Sequence, residues 1–166
     1  MNKTQSSFSK TTENTVSNFL SAVLIGLNDE NIPYCVQRNY EDYPLHITGD
    51  VDLLIRGKDI GRGVEVTSDI AKKNGWRAYV VYKTHQSAHV GFYSKRFPDR
   101  FVLVIEFFAG GTWRGFNFLD PVRVLDDREK CGITWKPSPP HEVMITLIHH
   151  LLYNKKVFEK YREKIY

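Results

Sequence analysis

The chain has 166 residues, of which 42% are hydrophobic and 13% aromatic, and its formal net charge is +4. It is long enough to bury one core and too apolar to stay unfolded, so a single globular domain is expected. Lys155, Lys156, Lys160, Arg162 and Lys164 face only Glu159 and Glu163 at the C-terminal end, which leaves the body nearly neutral. This argues against a long basic groove for nucleic acid and leaves room for a small anionic ligand.

Cys35 and Cys131 are the only cysteines, too few and too widely spaced for a disulfide framework or a zinc motif. Two reduced thiols packed as small apolar groups are expected. The N-terminus has no apolar signal core, and no apolar run reaches membrane-spanning length. No membrane span and a cytoplasmic setting are therefore expected.

Residues 1–12 are rich in Ser, Thr, Asn and Lys without periodicity, and read as a disordered leader. Val16, Phe19, Leu20, Val23, Leu24 and Leu27 fall at helical spacing, and the helix should end near Asn28 to Asn31. A short strand is expected over Ile32 to Gln37, then a polar loop through Arg38, Asn39, Tyr40, Glu41 and Pro44. A second strand follows over Val51 to Ile55. Lys58 to Asn74 carries Ile60, Val64, Thr67 and Ala71 near one face and reads as a helix closed by Gly75. Trp76 to Lys83 and Ala88 to Ser94 read as a hairpin.

Arg96 to Arg100 is a turn, and Phe101 to Phe108 is the most apolar run in the chain. Apolar residues on both faces of that run predict a central strand covered on both sides. A mixed segment leads to Asp127, a strand is expected over Gly132 to Trp135, and Pro137, Pro139 and Pro140 make a stiff join. Met144, Leu147, Ile148, Leu151 and Leu152 mark another amphipathic helix, and Val157 to Ile165 continues as a basic helix. The expected organisation is a leader over 1–12, a core over 13–135 and a helical segment over 136–166. The chain stops on that segment without a cap, the pattern of a domain that continues into a C-terminal partner domain.

Asp50 and Asp52 stand two apart where a Gly-containing loop enters an apolar run. In a strand such residues point to the same face. Two like charges held so close repel unless a cation lies between them or one is protonated. Hard oxygen ligands of this kind suit Mg²⁺ or Mn²⁺. Glu106 sits inside the apolar strand, where an unpaired carboxylate costs several kcal/mol, so it must be paired, protonated or bound to a cation. If its strand lies beside Val51 to Ile55, the three carboxylates converge. A metal held this way suits phosphoryl or nucleotidyl transfer. Arg38, just after the first strand, is placed to clamp phosphates, with Lys83 and Arg114 as lesser candidates. His85 and His89 are expected in ordinary polar roles, and of His149 and His150, adjacent on the late helix, one is expected to pack and the other to be solvated. Gly110, Gly111 and Trp113 would shape a ligand mouth or form a turn, and Tyr161 and Tyr166 accompany the basic end helix.

A strand into Arg38-Asn39-Tyr40-Glu41, a Pro-containing loop, Gly49-Asp50-Val51-Asp52-Leu53-Leu54-Ile55, and a later strand with a central acid together resemble the nucleotidyltransferase superfamily of the DNA polymerase beta type. More narrowly, they resemble divergent members from bacterial surface-polysaccharide gene clusters. The likeness spans roughly 32–108. It implies an α+β, α/β-like fold, a mixed sheet with flanking helices. It also implies Mg²⁺ or Mn²⁺ on Asp50, Asp52 and Glu106, with Arg38, Asn39, Gly49 and Lys83 toward the substrate. The implied reaction moves a nucleoside monophosphate from a nucleoside triphosphate to a small or sugar-type acceptor. Typical members carry a Gly-Ser pair before the first acid, whose backbone N–H groups cradle the triphosphate. This chain has Arg38-Asn39 at about that place. The departure keeps open a rival reading, a non-catalytic binding or regulatory domain of the same fold. A metal-dependent nuclease is a third class built on similar carboxylates.

Overall fold

A computed structural model describes residues 4–47, 49–94, 102–113 and 116–155. The architecture is mixed α+β. Helix α1 (Thr4–Asp29) leads through β1 (Tyr34–Val36) and β2 (Val51–Ile55) to α2 (Ile60–Lys73). The hairpin β3 (Trp76–Lys83) and β4 (Ser87–Ser94) follows, then β5 (Leu103–Phe108). These strands form one sheet in the order β1-β2-β5-β4-β3. Only β2 and β5 run parallel; the other neighbours are antiparallel, so the sheet is mixed. Two small ribbons, β6 (Gly111–Trp113) with β7 (Phe116–Leu119) and β8 (Glu129–Cys131) with β9 (Thr134–Lys136), flank the short helix α3 (Pro121–Asp126). Helix α4 (Pro139–His149) runs on into a π-helical turn, His150–Asn154. Among the described residues no helix is long and apolar enough to cross a membrane.

The sheet has two unlike faces, and the strand alternation says why. Val51, Leu53 and Ile55 of β2, Leu103, Ile105 and Phe107 of β5, and Ala88, Val90 and Phe92 of β4 all point one way and are buried with α1 and α2. The apolar stripe of α1, Phe19 to Leu27, supplies the other half of this core, and the Phe19 ring stacks on Trp76 at 4.5 Å. The opposite face is covered only in part. Cys35 and Leu54 pack there under Leu119, Val124, Leu125 and Ile145, from β7, α3 and α4. Beyond that patch the second layer stops, and the polar side of the sheet faces a cleft.

Two expectations are corrected here. Residues 4–12 are helical, because α1 begins at Thr4. Once the packed stretch from Val16 is nucleated, propagation toward the N-terminus costs little, and no Gly or Pro interrupts it. Strand β5 is central in the sheet, yet only one face is fully buried. Leu103, Ile105 and Phe107 are buried, whereas Val104, Glu106 and Phe108 are only partly so, because the second layer does not reach them. The mixed segment before Asp127 resolves into short elements. It holds β6, β7 and α3, with Asp120 capping α3 by accepting from the Val122 N–H at 2.9 Å. Of the prolines that read as a join, Pro139 and Pro140 open α4, where Pro fits the first turn because its missing N–H has no partner to lose. The expected turn at Arg96 to Arg100 and the basic helix over Val157 to Ile165 lie outside the described residues, as do Arg114, Tyr161 and Tyr166.

Gly110 joins β5 to β6 with φ +109°, and a Cβ there would stand 2.6 Å from the Leu119 carbonyl oxygen. Gly110→Ala therefore carries both a disfavoured backbone conformation and a clash with main chain that cannot swing aside. A loss of about 2 kcal/mol or more is expected, read as a lowered urea midpoint with an unchanged m-value. A midpoint equal to wild type would show that this junction is not fixed as described.

Candidate active site

The parallel pairing of β2 with β5 sets Asp52 directly beside Glu106. The antiparallel pairing of β5 with β4 sets Glu106 beside His89, and that of β4 with β3 sets His89 beside Tyr82. Residues paired across a sheet share a face. One transverse row, Asp52-Glu106-His89-Tyr82, thus crosses four strands on the open face. Arg38 extends it at the β1 end: its Nη2 donates to Asp52 Oδ2 at 2.6 Å, with Arg38 19% and Asp52 16% exposed. At the other end His89 Nδ1 meets Glu106 Oε1 at 2.5 Å, and the Tyr82 and His89 rings lie 5.7 Å apart. Just beyond Arg38, Asn39 has φ 57°, a left-handed turn that Asn tolerates well. Arg38 itself is held beside β2, for the Gln37 N–H donates to the Asp52 carbonyl at 2.9 Å.

Arg38, Asp52 and Glu106 of this row floor a cleft of about 950 Å3, and His89 and Tyr82 lie beyond its edge. The far wall comes from β7, α3 and α4, with Phe118, Leu119, Met144 and Ile145 apolar and Arg123, His141 and His149 polar. Burial pushes the Glu106 carboxyl above its usual range, the hydrogen bond from His89 pulls it back, and the charge of Asp52 raises it again. Two carboxylates side by side are strained in this way when no cation separates them. Burial, with Arg38 and His150 close by, lowers the His149 imidazole to about 4. His149 is thus a neutral wall to the cleft at physiological pH, and adds no charge to compete with Arg38. One donor in the floor has no counterpart: Arg38 Nε is buried without a hydrogen-bond partner among the described residues.

The expected site residues are not all brought together. Asp52, Glu106 and Arg38 are. Asp50 is not in this cleft. It precedes the first ladder pair, Val51 with Ile105, so no strand neighbour fixes it. It is exposed and lies with Gly49 on the wall of a second cleft of about 380 Å3, beside Ile47, Leu103 and Val104. Its charge still reaches Glu106, which it raises slightly. Lys83 ends β3, is exposed and lines neither cleft; Asn39 lines neither as well. Thr48 lies outside the described residues. Gly110 and Gly111 do line the mouth of the larger cleft. His89 is the participant that sequence reasoning left in an ordinary polar role. Its signal was present in the alternation Ser87-Ala88-His89-Val90-Gly91-Phe92, which sets it opposite the apolar face.

The expected trio of acids is therefore a close pair with a third set apart. Among the described residues no three His, Cys, Asp or Glu side chains are close enough to hold a metal ion by themselves. The pair still fits Mg²⁺. That ion keeps several waters and is bound through one or two carboxylates with substrate phosphates, not by an all-protein cage. Asp52 and Glu106 each have one oxygen engaged by a neighbour and a second oxygen to offer.

No family model, no curated protein and no solved structure matches this chain. The class that fold and site define is therefore a mixed-sheet α+β domain with a carboxylate pair at the floor of a cleft.

Proposed function

We propose that the domain is a Mg²⁺-dependent nucleotidyltransferase. It would move a nucleoside monophosphate from a nucleoside triphosphate to a hydroxyl or phosphate of a small or sugar-type acceptor, in surface-polysaccharide synthesis. The observation that carries this reading is the register of Asp52 against Glu106 at the floor of a cleft that also holds Arg38. The motif likeness over 32–108 agrees with it. When bound, the ion would neutralise phosphate charge and polarise the attacked phosphorus. Asp52 and Glu106 would hold it. Arg38, with its unpartnered Nε, would turn from Asp52 toward the phosphates and bind them bidentately. Glu106, whose carboxyl burial holds above its usual range, would accept the proton of the attacking hydroxyl. The apolar wall of Phe118, Met144 and Ile145 would exclude water from the reacting centre.

The test is product analysis with a nucleoside triphosphate labelled at the α-phosphate, with Mg²⁺ and candidate sugar acceptors. Release of pyrophosphate with the label on the acceptor is the expected result. Release of orthophosphate, or cleavage of DNA or RNA without triphosphate, would place the chemistry in another class. A second reading has one observation in its favour, the Arg38–Asp52 ion pair, which puts a protein cation where a metal would sit. It makes the domain a non-catalytic binding module. It predicts triphosphate binding that is indifferent to divalent ions, and no pyrophosphate.

A further inference from the structure

We infer that His89 is a positioning residue for the Glu106 carboxylate, and so for any divalent ion that the pair takes. The inference rests on the functional reading above and adds a residue to it. His89 is paired with Glu106 in the β4–β5 ladder, so its placement is set by main-chain register and not by a mobile loop. Its ring stands 5.7 Å from that of Tyr82 on the edge strand, which limits how far it can swing away from Glu106. The two side chains are 22% and 21% exposed, so water competes little for their contact. An ionised carboxylate only accepts, so the Nδ1–H donates to Oε1. With Oε1 held from the β4 side, Oε2 is the oxygen left for an ion shared with Asp52, its neighbour in the β2–β5 register. A terminal carboxyl rotor is otherwise broad and roughly two-fold. Fixing it removes the rotational freedom that an ion would have to quench.

The two neighbours of the acid pair thus act in opposite directions. Arg38 is a permanent cation on Asp52 and competes with a metal. His89 donates through one nitrogen and orients Glu106 without taking its second oxygen. Hydrogen-bond partners of metal-ligating carboxylates are worth about 10–100-fold in metal affinity when removed.

The experiment is a Mn²⁺ titration of the full chain, read by the paramagnetic relaxation of water protons, on wild type and three His89 variants, with Asp52→Asn as the control for the acid pair. His89→Asn keeps an N–H donor at the place of Nδ1, His89→Gln carries it one carbon too far, and His89→Ala removes it. Each protein is measured well below its own unfolding midpoint. Should His89→Ala not fold, the Asn and Gln variants carry the comparison. The expected result is Mn²⁺ affinity lowered about 10–100-fold in His89→Ala and His89→Gln, with His89→Asn within about threefold of wild type. Equal affinity in wild type and all three His89 variants would make His89 a packing residue and overturn the inference. Tighter binding in His89→Ala would make it a competing cation, with the same consequence. Wild-type Mn²⁺ binding that Asp52→Asn leaves unchanged would remove the metal-dependent reading itself, and this inference with it.

Discussion

Asp52→Asn is expected to lower metal-dependent turnover about 10²–10³-fold, equivalent to about 3–4 kcal/mol of transition-state stabilisation. The reason is electrostatic. Asn keeps the size of the side chain and one oxygen able to accept from Arg38, but it has no charge to offer a divalent ion. The fold should survive the change. Losing the Asp52 charge weakens the Arg38 contact, yet it also removes the repulsion that raises the Glu106 carboxyl. These two effects oppose each other, so the midpoint of thermal unfolding should move by no more than a few degrees. Turnover and Mn²⁺ affinity are measured beside the melting curve. Unaltered turnover in a folded Asp52→Asn protein would mean that chemistry, if any, lies elsewhere.

Phe107→Ala is the second large effect, and it concerns the scaffold. Phe107 is fully buried in β5, on the face opposite Glu106. A Cβ placed on Gly63 would stand 3.2 Å from the Phe107 ring and 3.1 Å from Ile55, so α2 rests on these side chains at its closest point. Deleting the ring leaves a void that neither the strand nor the helix can close without breaking other contacts. The expected cost is about 3–5 kcal/mol, a large part of the roughly 5–15 kcal/mol typical of a folded domain. The unfolding midpoint should fall by roughly 6–20 °C. Because β5 carries Glu106 on its other face, weaker Mn²⁺ binding is expected along with the lost stability. A stability change under about 1 kcal/mol would show that this face is not packed as described.

Much of the scaffold was legible in the sequence, for physical reasons that differ by element. Strand β2 lies where it was read, Val51 to Ile55, because β-branched and apolar residues there are bounded by Gly49 and Arg56. The stripe of α1 was equally plain, since its period is unbroken, and the hairpin β3–β4 was legible although a bulge between Val80 and Tyr82 shifts its register. Gly75, at φ +74°, ends α2 as expected of a glycine just past a helix. Elsewhere local pattern gave the wrong answer. The composition of residues 4–12 is polar, yet helix continues through it from a packed neighbour. The run from Phe101 to Phe108 looks apolar on both faces, but coverage depends on where α3 and α4 stop, a tertiary fact. Three-residue strands such as β6 are too short to carry a period.

The candidate site divides in the same way. Asp52 and Glu106 could be named because a charge inside an apolar strand is costly and needs a reason. Their meeting depends on β5 inserting between β2 and β4, which no local signal specifies. Asp50 was grouped with Asp52 by the two-residue period of a strand, but the ladder starts only at Val51, so the period does not apply to it. His89 lies 17 positions before Glu106 in the chain, and only the β4–β5 register brings them together.

The most direct measurement of the central claim is a crystal soaked with Mn²⁺ and a non-hydrolysable nucleoside triphosphate, with data collected for anomalous scattering. A peak bridging Asp52 and Glu106, with the Arg38 guanidinium moved off Asp52 and onto a phosphate, is the predicted result. Nucleotide in the cleft with no manganese between these two carboxylates, and Arg38 still on Asp52, would contradict it.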